Sequence, residues 1–361
     1  MNVALVTTLD RGGPVEQALL LGAELARRGI GVRAVCGFAD VAARFAAAGV
    51  PAHVVPNRGA GDVRAARAVF ALARDCDVVH GHDRRANLWV RAGRRPRAGA
   101  GARVITVHGL PDPYHPPPIG AERPGVRARL AYEGLDAGLN ARVEAIVAPS
   151  RMIAGELVAR LRYPEAKVTV VPNGIALPAF APEGGDEIGM LALLVPLKGV
   201  DLFLQAAARL APDHPDWRFT VFGEGDDRPR LTALHATLGL DGAVTLPGFV
   251  ASAEALARLR VLVIASYAEN APMALLEAMG AGVAVVTTAV GGIPEIADDT
   301  VARLVPPGDA GAIAAAVEAL LADDAAREAQ VRAARARVEE RFTAARNADA
   351  MVAVYERALA A

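Results

Sequence analysis

Apolar residues along this chain follow two alternating rhythms. Short runs rich in Val, Ile and Ala are separated by longer stretches in which apolar positions recur every three or four residues. These are the patterns of buried strands and of amphipathic helices. In the first half the runs fall at residues 3–7, 32–35, 52–55, 78–80, 104–107, 146–148 and 168–171. Helical patterns lie between most of them, such as 15–28, with Gly29 as its stop signal. Residues 172–185 are crowded with turn formers and read as a linker. The alternation then restarts with strands at 188–194, 218–222, 243–246, 261–265 and 283–287, a helix from Val200, and helix from Asp309 onward. Strand–helix alternation of this kind predicts parallel sheets covered on both faces, with ligand crevices at the carboxyl ends of the strands. Two similar α/β units are expected.

The stretch 261–282 organises the chemistry. After its strand, a short polar loop carries Glu269, and Pro272 sits where a helix begins, a position that tolerates proline because the missing N–H has no partner there anyway. Glu277 lies inside the helix, roughly 7 to 8 Å along its axis from Pro272. Between the two acids, the N–H groups of the first turn and the positive end of the helix dipole favour an anion. A phosphate flanked by carboxylates, which accept hydrogen bonds from hydroxyls, describes a sugar nucleotide. Elsewhere, Gly12 and Gly13 precede a helix after the first strand, and His108 ends the strand 104–107, directed toward the crevice. Cys36 and Cys76 are isolated, and His80 and His82 lack further ligands at suitable spacing, so no metal is expected.

Composition adds bounds. The 361 residues are 53% hydrophobic and 22% charged, ample for two globular domains. No apolar run is long enough to span a bilayer, and no basic segment precedes an apolar one at Met1, so a cytoplasmic protein is expected. The net charge of −1 is unevenly spread: residues 1–175 hold 24 Lys and Arg against 15 Asp and Glu. Arg84, Arg85, Arg91, Arg94, Arg95, Arg97 and Arg103 form one basic stretch, and Arg123, Arg127 and Arg129 another. Such stretches read either as solvated helix faces or as a peripheral contact with an anionic inner-membrane leaflet, at about 1 kcal/mol per basic residue. No aromatic interleaving points to nucleic acid. The proline-rich loop 110–118 is placed to border an acceptor site.

Asn173-Gly174, Val195-Pro196-Leu197-Lys198-Gly199, Gly223-Glu224-Gly225, the acid pair Glu269-x7-Glu277 and Gly291-Gly292-x-Pro294-Glu295 together resemble the retaining GT-B-fold glycosyltransferases of family 4, glycosyl transferases group 1. The resemblance covers nearly the whole chain and is most specific over 265–295. It implies an α/β fold of two Rossmann-like domains facing each other across a deep cleft. The expected domains are an acceptor domain at 1–172, a nucleotide-sugar donor domain at 173–343, and a C-terminal helix, 344–361, crossing back onto the first. By position it implies that Glu269 touches the donor sugar's hydroxyls. The backbone of Asn270, Ala271, Pro272 and Met273 would hold the diphosphate or sugar, and Glu277 would accept from the ribose. Lys198 would neutralise the departing diphosphate, His108 would position the donor sugar, and Gly12 and Gly13 would let their loop close on the donor. The implied activity is metal-independent, retaining hexosyl transfer from a nucleotide diphosphate sugar, of the UDP-sugar type. The acceptor would be a hydroxyl on a lipid-linked intermediate, a polysaccharide or a small natural product, in cell-envelope glycan or glycoconjugate synthesis. No cofactor beyond the co-substrate is implied.

One departure stands out. Where the family has Gly-Arg-Leu, this chain has Ala192-Leu193-Leu194, so Leu193 replaces an arginine that pairs with the diphosphate. Arg11 and Arg151 are candidates to compensate. Two other expectations follow: a pseudoenzyme that binds a sugar nucleotide without transferring it, or a sugar-nucleotide epimerase or hydrolase on the same scaffold.

Overall fold

The computed structural model describes residues 1–111 and 125–361; the end of the proline-rich loop and Arg123 lie outside the described residues. The chain divides into two compact units. The first holds the described residues up to 176 together with 343–361, and the second holds 177–342. The contact boundary thus falls shortly after the expected 172/173.

The first unit runs β1 (Asn2–Thr7), α1 (Gly13–Arg27), β2 (Gly31–Cys36), α2 (Ala39–Ala47), β3 (Ala52–Val54), α3 (Val63–Ala73), β4 (Val78–Gly81), α4 (Arg84–Ala92) and β5 (Ala102–Thr106). It continues through α5 (Val126–Arg129), a wider π-turn (Leu130–Leu135), α6 (Asp136–Asn140), β6 (Ala145–Ala148), α7 (Arg151–Ala159) and β7 (Val168–Val170). The strands form one parallel sheet in the order β3-β2-β1-β4-β5-β6-β7. Side chains alternate between its faces: Val3 and Leu5 enter one core cluster, Ala4 and Val6 the other. Both faces are covered over the central strands, which is why those strands read as continuous apolar runs rather than alternating ones. Helix α1 buries Val15, Ala18, Leu21 and Leu25. Its Gly22 admits Leu5 and Phe45 so closely that a Cβ would stand 3.2 Å from each.

The second unit runs β8 (Glu187–Leu191), a 3-10 turn (Pro196–Lys198), α8 (Val200–Leu210), β9 (Arg218–Phe222), α9 (Arg228–Thr237), β10 (Val244–Gly248), α10 (Ser252–Arg258) and β11 (Leu259–Ile264). Then come α11 (Met273–Ala281), β12 (Ala284–Thr288), α12 (Ile293–Ile296), β13 (Arg303–Val305), α13 (Ala310–Ala322) and α14 (Asp324–Arg341). Its sheet is also parallel, ordered β10-β9-β8-β11-β12-β13. Two sequence-based boundaries need correction. The strand expected over 188–194 ends at Leu191, which leaves Leu193 in the following loop. The strand expected to end at Leu246 continues to Gly248.

The last helix, α15 (Ala344–Ala360), belongs to the first unit. Ala348, Met351, Val354, Tyr355 and Ala358 repeat at helical spacing and share a core cluster with Leu5, Leu21 and Val104. Burying each of the larger ones is worth about 1.5–3 kcal/mol. Thr343 caps the helix by accepting from the N–H of Arg346 (3.2 Å). Ile175 pairs with Thr343. The adjoining Asn173-Gly174 is fixed from α1, where the Gln17 side chain donates to the Gly174 carbonyl (2.7 Å) and accepts from its N–H (3.1 Å).

Candidate functional site

In the second unit the chain leaves β8 toward β9 on one side, while β11 flanks it on the other. A doubly wound sheet opens its crevice at such a reversal, beyond the carboxyl ends of the two strands. The loops there are 192–199, after β8, and 265–272, after β11. They are stitched together: the N–H of Tyr267 donates to the Leu197 carbonyl (2.9 Å). Gly199, at φ 64°, lies so close to Ala265 that a Cβ would come within 2.1 Å of its carbonyl oxygen. Only glycine suits both the dihedral and the approach. The consequence is chemical. Lys198 Nζ stands 2.6 Å from Glu269 Oε1, and Ser266 Oγ donates to the same oxygen at 2.7 Å. The Glu269 side chain is 9% exposed and the Lys198 side chain 27%. An ammonium and a carboxylate are therefore held together, half-shielded, where the crevice opens.

Helix α11 starts just past them. Its N-cap is Pro272, which has no side-chain oxygen to offer the first turn. Asn270 and Ala271 lie in the loop between Glu269 and the cap. Glu277, on the second turn, is half-buried and accepts a hydrogen bond from Ser252 Oγ at the start of α10. The helix stops at Gly282, at φ 93°.

Beside this pair lies the loop of Leu193, whose side chain is 55% exposed. Its backbone is held by the Gly223-Glu224-Gly225 turn: the N–H of Leu194 donates to the Glu224 carbonyl (2.9 Å), and that of Asp227 to the Leu194 carbonyl (3.0 Å). Sequence reasoning passed over Arg228, at the start of α9. It pairs with Glu224 (2.9 Å) and donates to the Leu246 carbonyl (2.8 Å). A Glu followed four residues on by an Arg at a helix start was the available signal. Phe249, just past β10, is 75% exposed. Gly291 and Gly292 follow β12, and the N–H of Gly292 donates to the Glu269 carbonyl (3.1 Å).

The first unit has its own reversal, between β1 and β4. There Asp83 caps α4, accepting from the N–H groups of Arg85 and Ala86 (both 3.0 Å). It also accepts from the hydroxyls of Thr7 (3.3 Å) and Thr8 (2.7 Å) and from the N–H of Thr8. A built-in carboxylate already fills the place where an anion would sit. Gly12, at φ 102°, opens α1, and Gly13 is its first residue.

His108 lies in the loop after β5, with its Nε2 3.4 Å from His82 Nδ1. His80 is tied by Nδ1 to the Tyr355 hydroxyl (2.7 Å) and by Nε2 to Thr106 Oγ1 (2.8 Å). Burial pushes the imidazoles down, His108 to about 4, His80 to about 3, and His82 well below the usual value. They are neutral hydrogen-bonding groups at pH 7. Among the described residues, no three His, Cys, Asp or Glu side chains gather as a metal-binding group. The two cysteines are buried and free, and burial pushes the Cys36 thiol up to about 12. A cavity of about 340 Å³ lies against His82, Asp83, Arg91, His108, Asp136 and Tyr163.

The basic stretch is not one solvated face. Arg91 is 2% exposed and pairs with Asp136 (3.3 Å), while Arg103 is 6% exposed and pairs with Glu144 (3.1 Å). Arg95 pairs with Glu144, Arg97 with Asp77 and Arg129 with Glu133. Arg11 is exposed beside Asp10 (3.9 Å). Among the described residues, no helix is long and apolar enough to cross a membrane.

Two parallel α/β units, each with its reversal point, and a lysine–glutamate pair beside a helix start in the second define the class: a doubly wound α/β protein of two Rossmann-like units. The model of the Glycosyltransferase Family 4 group matches residues 11–177, and that of the Glycosyl transferases group 1 matches residues 185–323. The chain belongs to the family 4, group 1 glycosyltransferases. Over 168 residues it is 39% identical to an exopolysaccharide phosphotransferase of Streptomyces coelicolor, a match covering 43% of this chain and 18% of that one. Over 242 residues it is 30% identical to the 2-deoxystreptamine glucosyltransferase of Streptomyces kanamyceticus, covering 60% of this chain and 62% of the relative. The matches thus span less than two thirds of either curated relative. The solved structure of Anabaena HepE in complex with UDP and glucose is similar with a TM-score of 0.83, at 18% identity, over 99% of both chains. The expected GT-B fold is borne out.

Proposed function

We propose that this chain transfers a glycosyl unit from a nucleoside diphosphate sugar to a hydroxyl acceptor, with retention of anomeric configuration and without a divalent metal. The observation that carries this reading is the Lys198–Glu269 pair at the reversal point of the second unit, directly before a helix whose N-cap residue is Pro272. A diphosphate seated at that helix start would meet the dipole and the lysine together. As the bond from sugar carbon to phosphate oxygen breaks, negative charge grows on the diphosphate, and fixed positive groups stabilise it without reorganising. Glu269 Oε2 accepts from the donor sugar's hydroxyls, and Glu277 from the ribose. The acceptor hydroxyl attacks from the face the diphosphate is leaving and gives its proton to the diphosphate oxygen, which accounts for retention. The first unit supports the division of labour, because Asp83 already occupies its corresponding anion position and leaves that unit to the acceptor. A UDP-bound structural relative supports a uridine donor. An acceptor in envelope glycan or glycoconjugate synthesis, met in the cytoplasm or at the inner membrane face, completes the reading.

The test is release of nucleoside diphosphate from UDP-, GDP- and ADP-sugars, with an acceptor extract and EDTA present, followed by NMR of the product's anomeric configuration. The reading predicts release in EDTA and a product with the donor's configuration. Leu193 favours a second reading, a protein that binds the donor without transferring it. Measurable nucleotide binding with no release from any donor would decide for that.

A further inference from the structure

Glu269 Oε1 takes two donors at once, Lys198 Nζ at 2.6 Å and Ser266 Oγ at 2.7 Å. The two differ in freedom. Lys198 is a flexible side chain, 27% exposed, whose ammonium a second anion can attract. Ser266 cannot follow: it is 1% exposed, its carbonyl accepts from Thr288 Oγ1 (2.6 Å), and the next N–H is held by Leu197 (2.9 Å). A diphosphate entering beside Lys198 competes for the ammonium, and Glu269, only 9% exposed, is then left with the serine alone. We propose that Ser266 is a positioning residue that keeps Glu269 oriented, with Oε2 turned to the donor sugar, while Lys198 changes partner from carboxylate to diphosphate.

This rests on the glycosyl-transfer reading, and it separates two ligands. The sugar part of the donor needs an oriented Glu269, whereas a nucleoside diphosphate without its sugar does not. Calorimetric titration with UDP-glucose and with UDP, or with the pair of whichever base the wild-type chain binds, compares wild type, Ser266→Ala, Glu269→Ala and the double variant. Thermal melts check that each is folded. Ser266→Ala is expected to weaken the nucleotide sugar roughly tenfold, the scale of a hydrogen bond to a charged group. The free diphosphate should change less than twofold, and in the Glu269→Ala background Ser266→Ala should add almost nothing. Where wild type turns over, kcat/KM follows the same order. Equal weakening of both ligands, or an undiminished effect without Glu269, would make Ser266 merely structural and overturn the proposal. So would a Ser266→Ala variant that binds the nucleotide sugar as wild type does. A wild type that binds nucleotide sugar but never releases diphosphate would sink the transfer reading alone, because the binding comparison still reads Ser266. A wild type that binds no nucleotide at all would sink both.

Discussion

Leu193→Arg is a gain-of-function test of the whole site. The side chain at 193 is 55% exposed, in a loop whose backbone is fixed by bonds from Leu194 and Asp227 that do not involve it. Replacing it removes little buried surface, so stability should stay within about 0.5 kcal/mol. A guanidinium reaching the diphosphate adds a charge-assisted hydrogen bond worth about 1.5–3 kcal/mol. Ordering the arginine costs back about 1–2 kcal/mol of side-chain entropy. At the midpoints the net gain is about 0.8 kcal/mol, or roughly fourfold. The assay is nucleoside diphosphate release at several donor concentrations. A rise mainly in kcat places the new contact in the transition state, and a fall mainly in KM places it in the ground state. A folded variant with kcat/KM within twofold of wild type, or lower, would refute the reasoning, because the diphosphate would then lie out of reach of residue 193.

Three further outcomes follow from the first unit. Below about pH 6.5 the unfolded chain protonates its imidazoles, while burial keeps His108 neutral to about 4 and His80 to about 3 in the fold, with His82 shifted the same way. The unfolded state then binds more protons, so stability falls as pH drops through this window, by up to about 1.4 kcal/mol per pH unit for each imidazole. A urea midpoint unchanged between about pH 7.5 and pH 5.5 would contradict this. Tyr355→Phe leaves His80 Nδ1 without its partner in the core and should cost about 1–3 kcal/mol in urea unfolding; an unshifted midpoint would show the bond to be dispensable. Arg91→Met strands the carboxylate of Asp136 and should cost about 3–5 kcal/mol, much of it recovered by adding Asp136→Leu; a loss under about 1 kcal/mol would count against a tight buried pair.

Local pattern carried the fold. Apolar runs bounded by glycine and proline located the strands, because the central strands of both sheets are buried on both faces and no alternation was needed to find them. Errors cluster at strand ends, as with Leu191 and Gly248, where the apolar run and the hydrogen-bonded ladder stop at different residues. What the sequence hid was pairing at a distance. Lys198 and Glu269 are 71 positions apart, and their contact exists because β8 and β11 are sheet neighbours, which chain order does not reveal. Two partners of the basic stretch, Asp136 and Glu144, come from beyond residues 112–124 in the chain, out of sight of any local pattern. Asp83 did carry a local sign, an Asp immediately before a helical pattern, but its bonds to Thr7 and Thr8 belong to the sheet rather than to the helix.

Because α15 completes the core around Leu5 and Tyr355, the first unit is discontinuous along the chain, whereas the described residues of the second form one span, 177–342. A ribosome therefore delivers every strand of the second unit before the first can acquire its closing helix, so the later-encoded half is free to mature first. Until α15 has emerged, the face of α1 that packs against it stays uncovered.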